Sequence, residues 1–401
     1  MPSPSSSSSA YSLYNSYMVS NFMVSIIVPL FLFSLFVVHV SSCSQIDKLS
    51  LLAFSGNIST SPPFPSLNWS DSLDCCAWEG ITCDGDLRVT HLLLPSRGLT
   101  GFISPSLTNL SSLSHLNLSH NRLSGGLQHQ LFSLLSHLVV LDLSYNHLSG
   151  ELPPFGIDNS GKNSSGAAIQ ELDLSSNFFN GTLPNSLLEN LAAAAAGGSL
   201  VSLNDYSSND FDGAIQPGLG ACSKLERFRA GFNFLSGPTP SDLFDDVSLK
   251  EISLPLNRLT GTIGDCIVGL TNLTVLELYS NHFTGFIPRE IGKLSKLERL
   301  VLHVNNLTGT MPPSVMNCVN LMVFNLRVNL LEGNIPAFNF SGFLSLTTLD
   351  LGNNYFIGGL PPTLYACKSL SAVRFASNQV EGEISPRILE LQSLSFLSIS
   401  R

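Results

Sequence analysis

The chain has 401 residues, 44% of them apolar and 12% charged, with a formal net charge of −10 at pH 7. So much apolar sequence can build an extended core, and the acidic balance excludes a general nucleic-acid binder without excluding a local basic groove. No glycine-rich phosphate loop and no G-x-S-x-G, H-E-x-x-H, H-R-D or D-F-G sequence occurs, so no enzyme chemistry and no cofactor are expected.

Residues 1–42 read as a leader. The first 22 are Ser-rich and carry no Lys or Arg, so Met18 or Met23 is a candidate start. The apolar run 23–40, MVSIIVPLFLFSLFVVHV, ends at the small residues Ser41 and Ser42 and reads as a cleaved signal that sends the chain into the secretory pathway. An uncleaved anchor is the alternative, since a run of this length just spans a bilayer.

Residues 43–88 read as a cap, with an amphipathic helix around Ser50 to Phe54 and with Trp69 and Trp78 flanking the pair Cys75 and Cys76. Four of the eight cysteines, Cys43, Cys75, Cys76 and Cys83, cluster here, which in a secreted chain suggests two disulfides. Adjacent Cys75 and Cys76 are poor partners, and of the three pairings Cys43 with Cys75 and Cys76 with Cys83 is favoured. A zinc site is the competing reading. Trp78 is read as cap packing in preference to a ligand platform.

Residues 89–401 are repetitive, with about twelve repeats and an unfinished last one. A recurring amide marks the register: Asn121, Asn146, Asn177, Asn209, Asn233, Asn257, Asn281, Asn305, Asn329, Asn354 and Asn378, each with Gly four residues later. The steps are 24 or 25 apart from two of 31 and 32, and a fixed period in this range means a solenoid. In the repeat LTVLELYSNHFTGFIP, Leu273, Leu276 and Leu278 are expected inward on a short strand, with Thr274, Val275, Glu277, Tyr279 and Ser280 mostly outward. One repeat cannot bury its own apolar face, so neighbours must stack. The eleven Asn amides are expected to bond backbone groups of adjacent turns as a structural ladder, Gly285 to occupy a tight bend and Pro288 the convex return.

The first repeat carries Arg97 at the Asn position, as terminal repeats often depart from the pattern. The two long steps contain GIDNSGKNSSGAA at 156–168 and the Ala-rich stretch 192–198, which are read as loops leaving the convex side. At Asn209 the repeat reads as having one extra residue between Leu203 and Tyr206. Cys222, Cys318 and Cys367 take the convex position held elsewhere by Leu110 or Leu294, and Cys266 falls one place off it; all four are expected as free thiols rather than catalytic ones. Nine N-x-S/T sequons occur, at Asn57, Asn68, Asn109, Asn117, Asn163, Asn180, Asn272, Asn306 and Asn339. A glycan on Asn117, on the strand face, would obstruct the early concave surface.

Outward positions differ along the chain. Four before the ladder Asn the early repeats read Asn117, Asp142 and Asp173, and two before it Ser119, Ser144 and Ser175, a uniformity that looks structural. From Asn233 the first lane becomes Arg229, Ser253, Glu277, Val301, Asn325, Asp350 and Arg374, and the second Gly231, Pro255, Tyr279, His303, Arg327, Gly352 and Ala376. Lost uniformity is where recognition can be written. The later outward positions hold Arg227, Arg229, Lys250, Arg299, Arg327 and Arg374 against Glu226, Glu251, Glu277, Glu298 and Asp350, so the face is basic relative to the chain. Arg forks suit carboxylate or sulfate. The candidate ligand contacts are Arg229, Glu277, Tyr279, Arg299, His303, Arg327 and Arg374. Paired carboxylates such as Asp142 and Asp173, or Asp245 and Asp246, are expected on solvated faces and turns rather than as a glycosidase pair.

The repeat, with -G-x-I-P- after the Asn, resembles the plant-specific leucine-rich repeat. The fold class is accordingly an α/β solenoid, a plant-type superhelix with short parallel strands on the concave face and a disulfide-stapled cap. The segments DCCAWEGITC, ELYSNHFTGFIPREIGKLSKL, LHVNNLTGTMPPSV, NCVNLMVFNLRVN, LDLGNNYFIGGLPPTLYACKSLSAVRFASN and ISPRILELQSLSF resemble plant receptor kinases for tyrosine-sulfated peptides, the sulfated-glycopeptide and phytosulfokine receptor group. That resemblance implies a plasma-membrane receptor whose ectodomain binds an extracellular sulfated peptide, recruits a co-receptor leucine-rich-repeat kinase and signals through a cytoplasmic kinase. Its island domain, membrane span and kinase would fall beyond Arg401, where the chain stops inside a repeat, so a truncated ectodomain is expected. The N-terminal portion of an active receptor kinase and a soluble wall protein inhibiting an enzyme such as a polygalacturonase are the alternatives.

Overall fold

The computed structural model describes residues 42–129, 131, 138–153, 169–184, 203–219, 225–245 and 247–400. Residues 1–41 of the leader, the two long-step loops, Cys222, Asn163 and Asp246 lie outside the described residues.

Each repeat contributes a three-residue strand because its Leu-x-Leu core positions alternate with outward ones. In the repeat of Asn281, Leu273, Leu276 and Leu278 are buried while Val275 and Glu277 are half-buried on the other face. Neighbouring strands align Leu on Leu in parallel register, as Ile252 with Leu276 and Leu276 with Leu300. The result is a sheet of 14 strands in chain order from Ile81–Cys83 and Val89–Leu93 to Phe396–Ser398. Its first two strands are antiparallel and the rest parallel. Strands of two to five residues after each ladder Asn form smaller sheets along the return.

On the far side of the repeats whose return is described, the chain forms 3₁₀ turns of three to five residues, such as Asp265–Gly269 and Pro313–Asn317. Pro at the first turn position, as in Pro105, Pro313, Pro362 and Pro386, has no N–H to leave unpaired. The α-helix whose full span is described lies in the cap.

The Asn ladder forms as expected. Asn281 donates from Nδ2 to Leu254 O at 2.8 Å in the previous repeat and to its own Leu278 O and Tyr279 O, while its Oδ1 accepts from Leu259 N at 3.0 Å. The other rungs reach back in the same way. Asn121 donates to Leu94 O, Asn146 to Leu118 O, Asn177 to Leu143 O, Asn209 to Leu174 O and Asn233 to Tyr206 O. Beyond them Asn257 donates to Ala230 O, Asn305 to Leu278 O, Asn329 to Leu302 O, Asn354 to Leu326 O and Asn378 to Leu351 O. Asn177 and Asn209 hold their place although a long step precedes each, so the extra residues leave the ladder undisturbed. Asn378 is half-buried where the other ten are buried.

The residue before each ladder Asn has φ of +52° to +58°, including the β-branched Val304 and Val328. That left-handed step costs roughly 1–2 kcal/mol per residue, and the bonds made by the amide it turns inward offset it. Gly285 occupies its bend at φ +75°.

The repeat at Asn209 has no extra residue. Asn204 pairs in register with Leu172 and with Phe228, so it takes the core leucine position and Leu203 faces outward. Asn204 is fully buried, and neither its Oδ1 nor its Nδ2 has a hydrogen-bond partner among the described residues. The apparent insertion is a polar residue on the inward face.

The cap helix α1 spans Gln45–Ser55 and extends beyond the expected Ser50–Phe54 at both ends. Its buried Asp47 accepts from Arg88 Nε at 3.0 Å, Arg88 Nη2 at 3.1 Å and Val89 N at 2.9 Å, which ties the helix to the strand starting at Val89. Cys43 is bonded to Cys75 and Cys76 to Cys83, the favoured pairing. Those sulfurs are therefore spent as disulfides, and the zinc reading of the cluster falls. Asp74 Oδ1 accepts from Cys43 N and Cys76 N between them. Trp69 and Trp78 are buried and stack at 5.3 Å, closing the end of the core rather than facing a ligand.

Cys318 and Cys367 are buried, with Sγ against Ile291 O and Phe340 O, and burial pushes their thiols up to about 12 and about 11. They are protonated core residues. Cys266, one position off that register, is exposed.

Candidate functional site

The strand face carries two kinds of surface on one backbone. In the early repeats each outward acid serves its own turn: Asp142 Oδ1 accepts from Ser144 N at 3.0 Å and Ser144 Oγ at 2.7 Å, and Asp173 does the same for Ser175 at 2.9 and 2.6 Å. Asn117 accepts equally from Ser119 and spends its Nδ2 on Asp142 Oδ2 at 3.0 Å. The Asx-x-Ser repetition is thus a local brace that holds the strand exit. Burial raises the Asp173 carboxyl above the usual range, and the bonds from Ser175 pull against that.

From Asn233 the lanes turn to cross-strand ion pairs. Arg229 makes a two-pronged contact with Glu251 at 2.7 and 2.8 Å and lies 3.6 Å from Asp205. Arg299 Nη2 and Nε donate to Glu277 Oε1 at 2.6 and 2.9 Å. Arg374 Nη1 reaches Asp350 Oδ2 at 3.1 Å and covers the Phe396 ring at 5.0 Å, and Lys250 pairs with Glu226 at 2.6 Å. Four of the six outward cations are therefore committed to neighbours within the sheet.

Two are not. Among the described residues the guanidiniums of Arg227 and Arg327 make no ion pair or hydrogen bond, and Arg327 is exposed. Beside Arg327 the second lane continues as a ring stack: Tyr279 and His303 lie 4.5 Å apart and 10° from parallel. Desolvation lowers the His303 pKa, Asp350 and Glu277 oppose that and Arg327 adds to it, so these groups share one electrostatic neighbourhood. His303 Nδ1 is buried without a partner among the described residues. Of the seven candidate contacts, Tyr279, His303 and Arg327 form an aromatic step ending in an uncommitted fork. Glu277 and Arg299 flank it as a closed pair, and Arg229 and Arg374 are paired elsewhere on the face.

The sequons sort by what their amides do. Asn117 is spent in the brace, Asn57 donates to Ala53 O, and Asn272 donates to Val247 O while accepting from Lys296. Asn339 is exposed and accepts from Ser341. Asn68, Asn109, Asn180 and Asn306 are exposed, and their amides make no hydrogen bond among the described residues. What the spacing did not signal is the exposed ring of Phe178, on the strand that carries Asn180.

Known proteins share this repeat architecture. A leucine-rich-repeat N-terminal domain matches residues 44–84, and leucine-rich repeats match residues 112–134, 137–156, 168–190, 247–307 and 345–367. The crystal structure of PEPR1-AtPEP1 superposes with a TM-score of 0.71 at 31% identity, over 88% of this chain and 51% of that one. The chain has the fold of a plant leucine-rich-repeat receptor ectodomain. The plant peptide hormone receptor RGFR1 in complex with RGF2 aligns with a TM-score of 0.59 at 27% identity, over 81% of this chain and 60% of that one. In Arabidopsis thaliana, Receptor-like protein 3 is 51% identical over 100 residues, which is 24% of this chain and 13% of that protein. Phytosulfokine receptor 1 of the same plant is 34% identical over 217 residues, 53% and 19% respectively. The chain thus spans a fifth or less of these two relatives and half to three-fifths of the two structures. The likeness is to plant leucine-rich-repeat receptor-like proteins and kinases as a group, a coarser assignment than the sulfated-peptide branch. Among the described residues of this ectodomain fold, no helix is long and apolar enough to cross a membrane.

Proposed function

We propose that this chain is the ligand-recognition part of a plant cell-surface receptor, that its ligand is an extracellular peptide carrying a tyrosine sulfate, and that a co-receptor leucine-rich-repeat kinase joins the complex. The observation that carries the reading is Arg327. It is an exposed fork with no partner among the described residues, beside the Tyr279–His303 stack, on a face where Arg229, Arg299 and Arg374 are paired. A sulfated aromatic ring presents a flat apolar body and a fixed anion, which is what a ring stack ending in a guanidinium can hold. Two similar structures are a peptide hormone receptor in complex with RGF2 and the PEPR1-AtPEP1 pair, in keeping with a peptide ligand.

The test is titration of the secreted chain with one peptide in sulfated and unsulfated forms. Binding should favour the sulfated form, and Arg327→Ala should weaken that form roughly tenfold or more, the scale of a hydrogen bond to a charged group, while leaving the unsulfated form unchanged. Equal affinity for both forms would reject the sulfate. An equal loss for both would reject Arg327 as its anchor.

A further inference from the structure

We propose that Asn180 carries an N-linked glycan whose first sugar packs on the ring of Phe178. The proposal rests on the secretory part of the reading above and is independent of any ligand.

Strand Phe178–Thr182 reads Phe-Phe-Asn-Gly-Thr, and alternate residues of a strand share a face at a spacing of about 6.6 Å. Phe178, Asn180 and Thr182 are the exposed set of that strand, and Phe179 is fully buried between them. The acceptor amide therefore has its sequon hydroxyl on one side and an aromatic ring on the other, all pointing outward from one rigid strand. In the other eight sequons the residue two before the Asn is Ser55, Ser66, Leu107, His115, Gly161, Leu270, Val304 or Ala337. His115 is the one other ring, and its Asn117 amide is already bonded to Asp142.

Phe178 is 52% exposed. One face is partly covered by His147, with ring centroids 5.9 Å apart, and the matching residue of the next repeat is Asp210, which brings no ring to the other face. A pyranose offers a face of C–H bonds of matching size, and covering Phe178 with it removes apolar area from water. Across the sheet Asn180 is paired with Glu151 and Asp210, both exposed, whose carboxylates can accept from sugar hydroxyls. In the modification itself, Asn180 Nδ2 bonds to the anomeric carbon of an oligosaccharide carried on a lipid diphosphate. The sugar–phosphate bond breaks, the lipid diphosphate leaves, and the amide proton passes to the transferase's base.

The experiment expresses the full chain with its own leader in plant cells, maps glycopeptides by mass spectrometry and follows melting. Asn180 should be occupied. Trimming its glycan to one sugar should leave the melting temperature in place, whereas Asn180→Gln should lower it. In the Phe178→Ala background the Asn180→Gln difference should vanish. Sugar on Asn68, Asn109 or Asn306 with Asn180 bare would overturn the proposal and leave secretion standing. An Asn180→Gln effect of the same size with and without Phe178 would overturn the packing, and absence of sugar from every sequon would overturn both.

Discussion

The repeats before Asn233 and those after it share a ladder, a strand length and a register, and differ in what the outward side chains do. Before Asn233 each acid braces the Ser two residues on, a bond within one repeat. After it, Arg229, Arg299 and Arg374 reach across to an acid on an adjacent strand. A brace within the repeat tolerates copying, which is why it recurs unchanged. A cross-strand pair needs a matched neighbour, so each later repeat carries its own outward residues. Half-buried pairs of this kind lose to desolvation much of what their attraction gains, so that variety serves stability weakly and leaves the face open to selection for what it holds.

The largest effect is expected at the ladder, where both regions should respond alike. Asn146→Ala and Asn281→Ala each leave three carbonyls and one N–H without their amide partner. At about 1–3 kcal/mol for each unsatisfied buried group, partly relieved by relaxation, each should lower local stability by roughly 2–4 kcal/mol. Hydrogen exchange of the two neighbouring repeats measures this. A large loss in one region beside none in the other would mean that the ladder does not bear equally on both.

The boundary between the regions should be improvable. Asn204→Leu replaces an unbonded buried amide, in register with Leu172 and Phe228, by the residue type its neighbours use. It should stabilise the repeats around it by about 1–3 kcal/mol, seen as slower exchange there and a higher denaturant midpoint. A destabilised variant would place a hidden polar requirement at this point.

The smallest expected effect is in the pH dependence of the outward acids, which burial raises in both regions. Burial raises Asp173, with Asp205 and Asp142 adding to the rise, and burial raises Asp350 while Arg374 opposes it. A carboxyl raised on folding binds its proton more tightly in the native state. Its contribution is therefore fully present below the unfolded value near 3.9 and is lost as pH rises through the folded value. Asp173→Asn, the residue type found at Asn117, keeps the Oδ1 acceptor and removes the charge. It should flatten this part of the stability profile and give a gain of a few tenths of a kcal/mol at neutral pH, read from denaturant midpoints across the acid range. An unchanged slope would show that Asp173 does not titrate differently in the native and unfolded chain.

The legible residues were those with a backbone task. Asn281 and its equivalents, from Asn121 to Asn378, must stand at one place in every repeat because their amides pair with fixed carbonyls, so spacing alone revealed the ladder. The cap cysteines were legible for a similar reason, since adjacency rules out one pairing. The commitments of the Arg forks were not. Arg229 to Glu251 and Glu277 to Arg299 are diagonal contacts 22 residues apart, and Asp350 to Arg374 is a direct one 24 apart, a difference of rotamer and reach that periodicity does not encode. Asn204 was misread because an amide on a core position looks, in sequence, like a slipped register.

The sequence by itself determined the period, the inward Leu positions, the Asn ladder and the cap's four-cysteine cluster, because each follows from a requirement that every repeat must meet: burying one face and pairing the backbone. The tertiary structure decided which outward cations are spent and which, as Arg327, are left uncommitted. It also decided which sequon amides are bonded inside the fold and that Asn204 lies in the core. Those outcomes depend on what the next strand places a few ångströms away, and the outward side chains are under no shared constraint that would write the answer into the repeat.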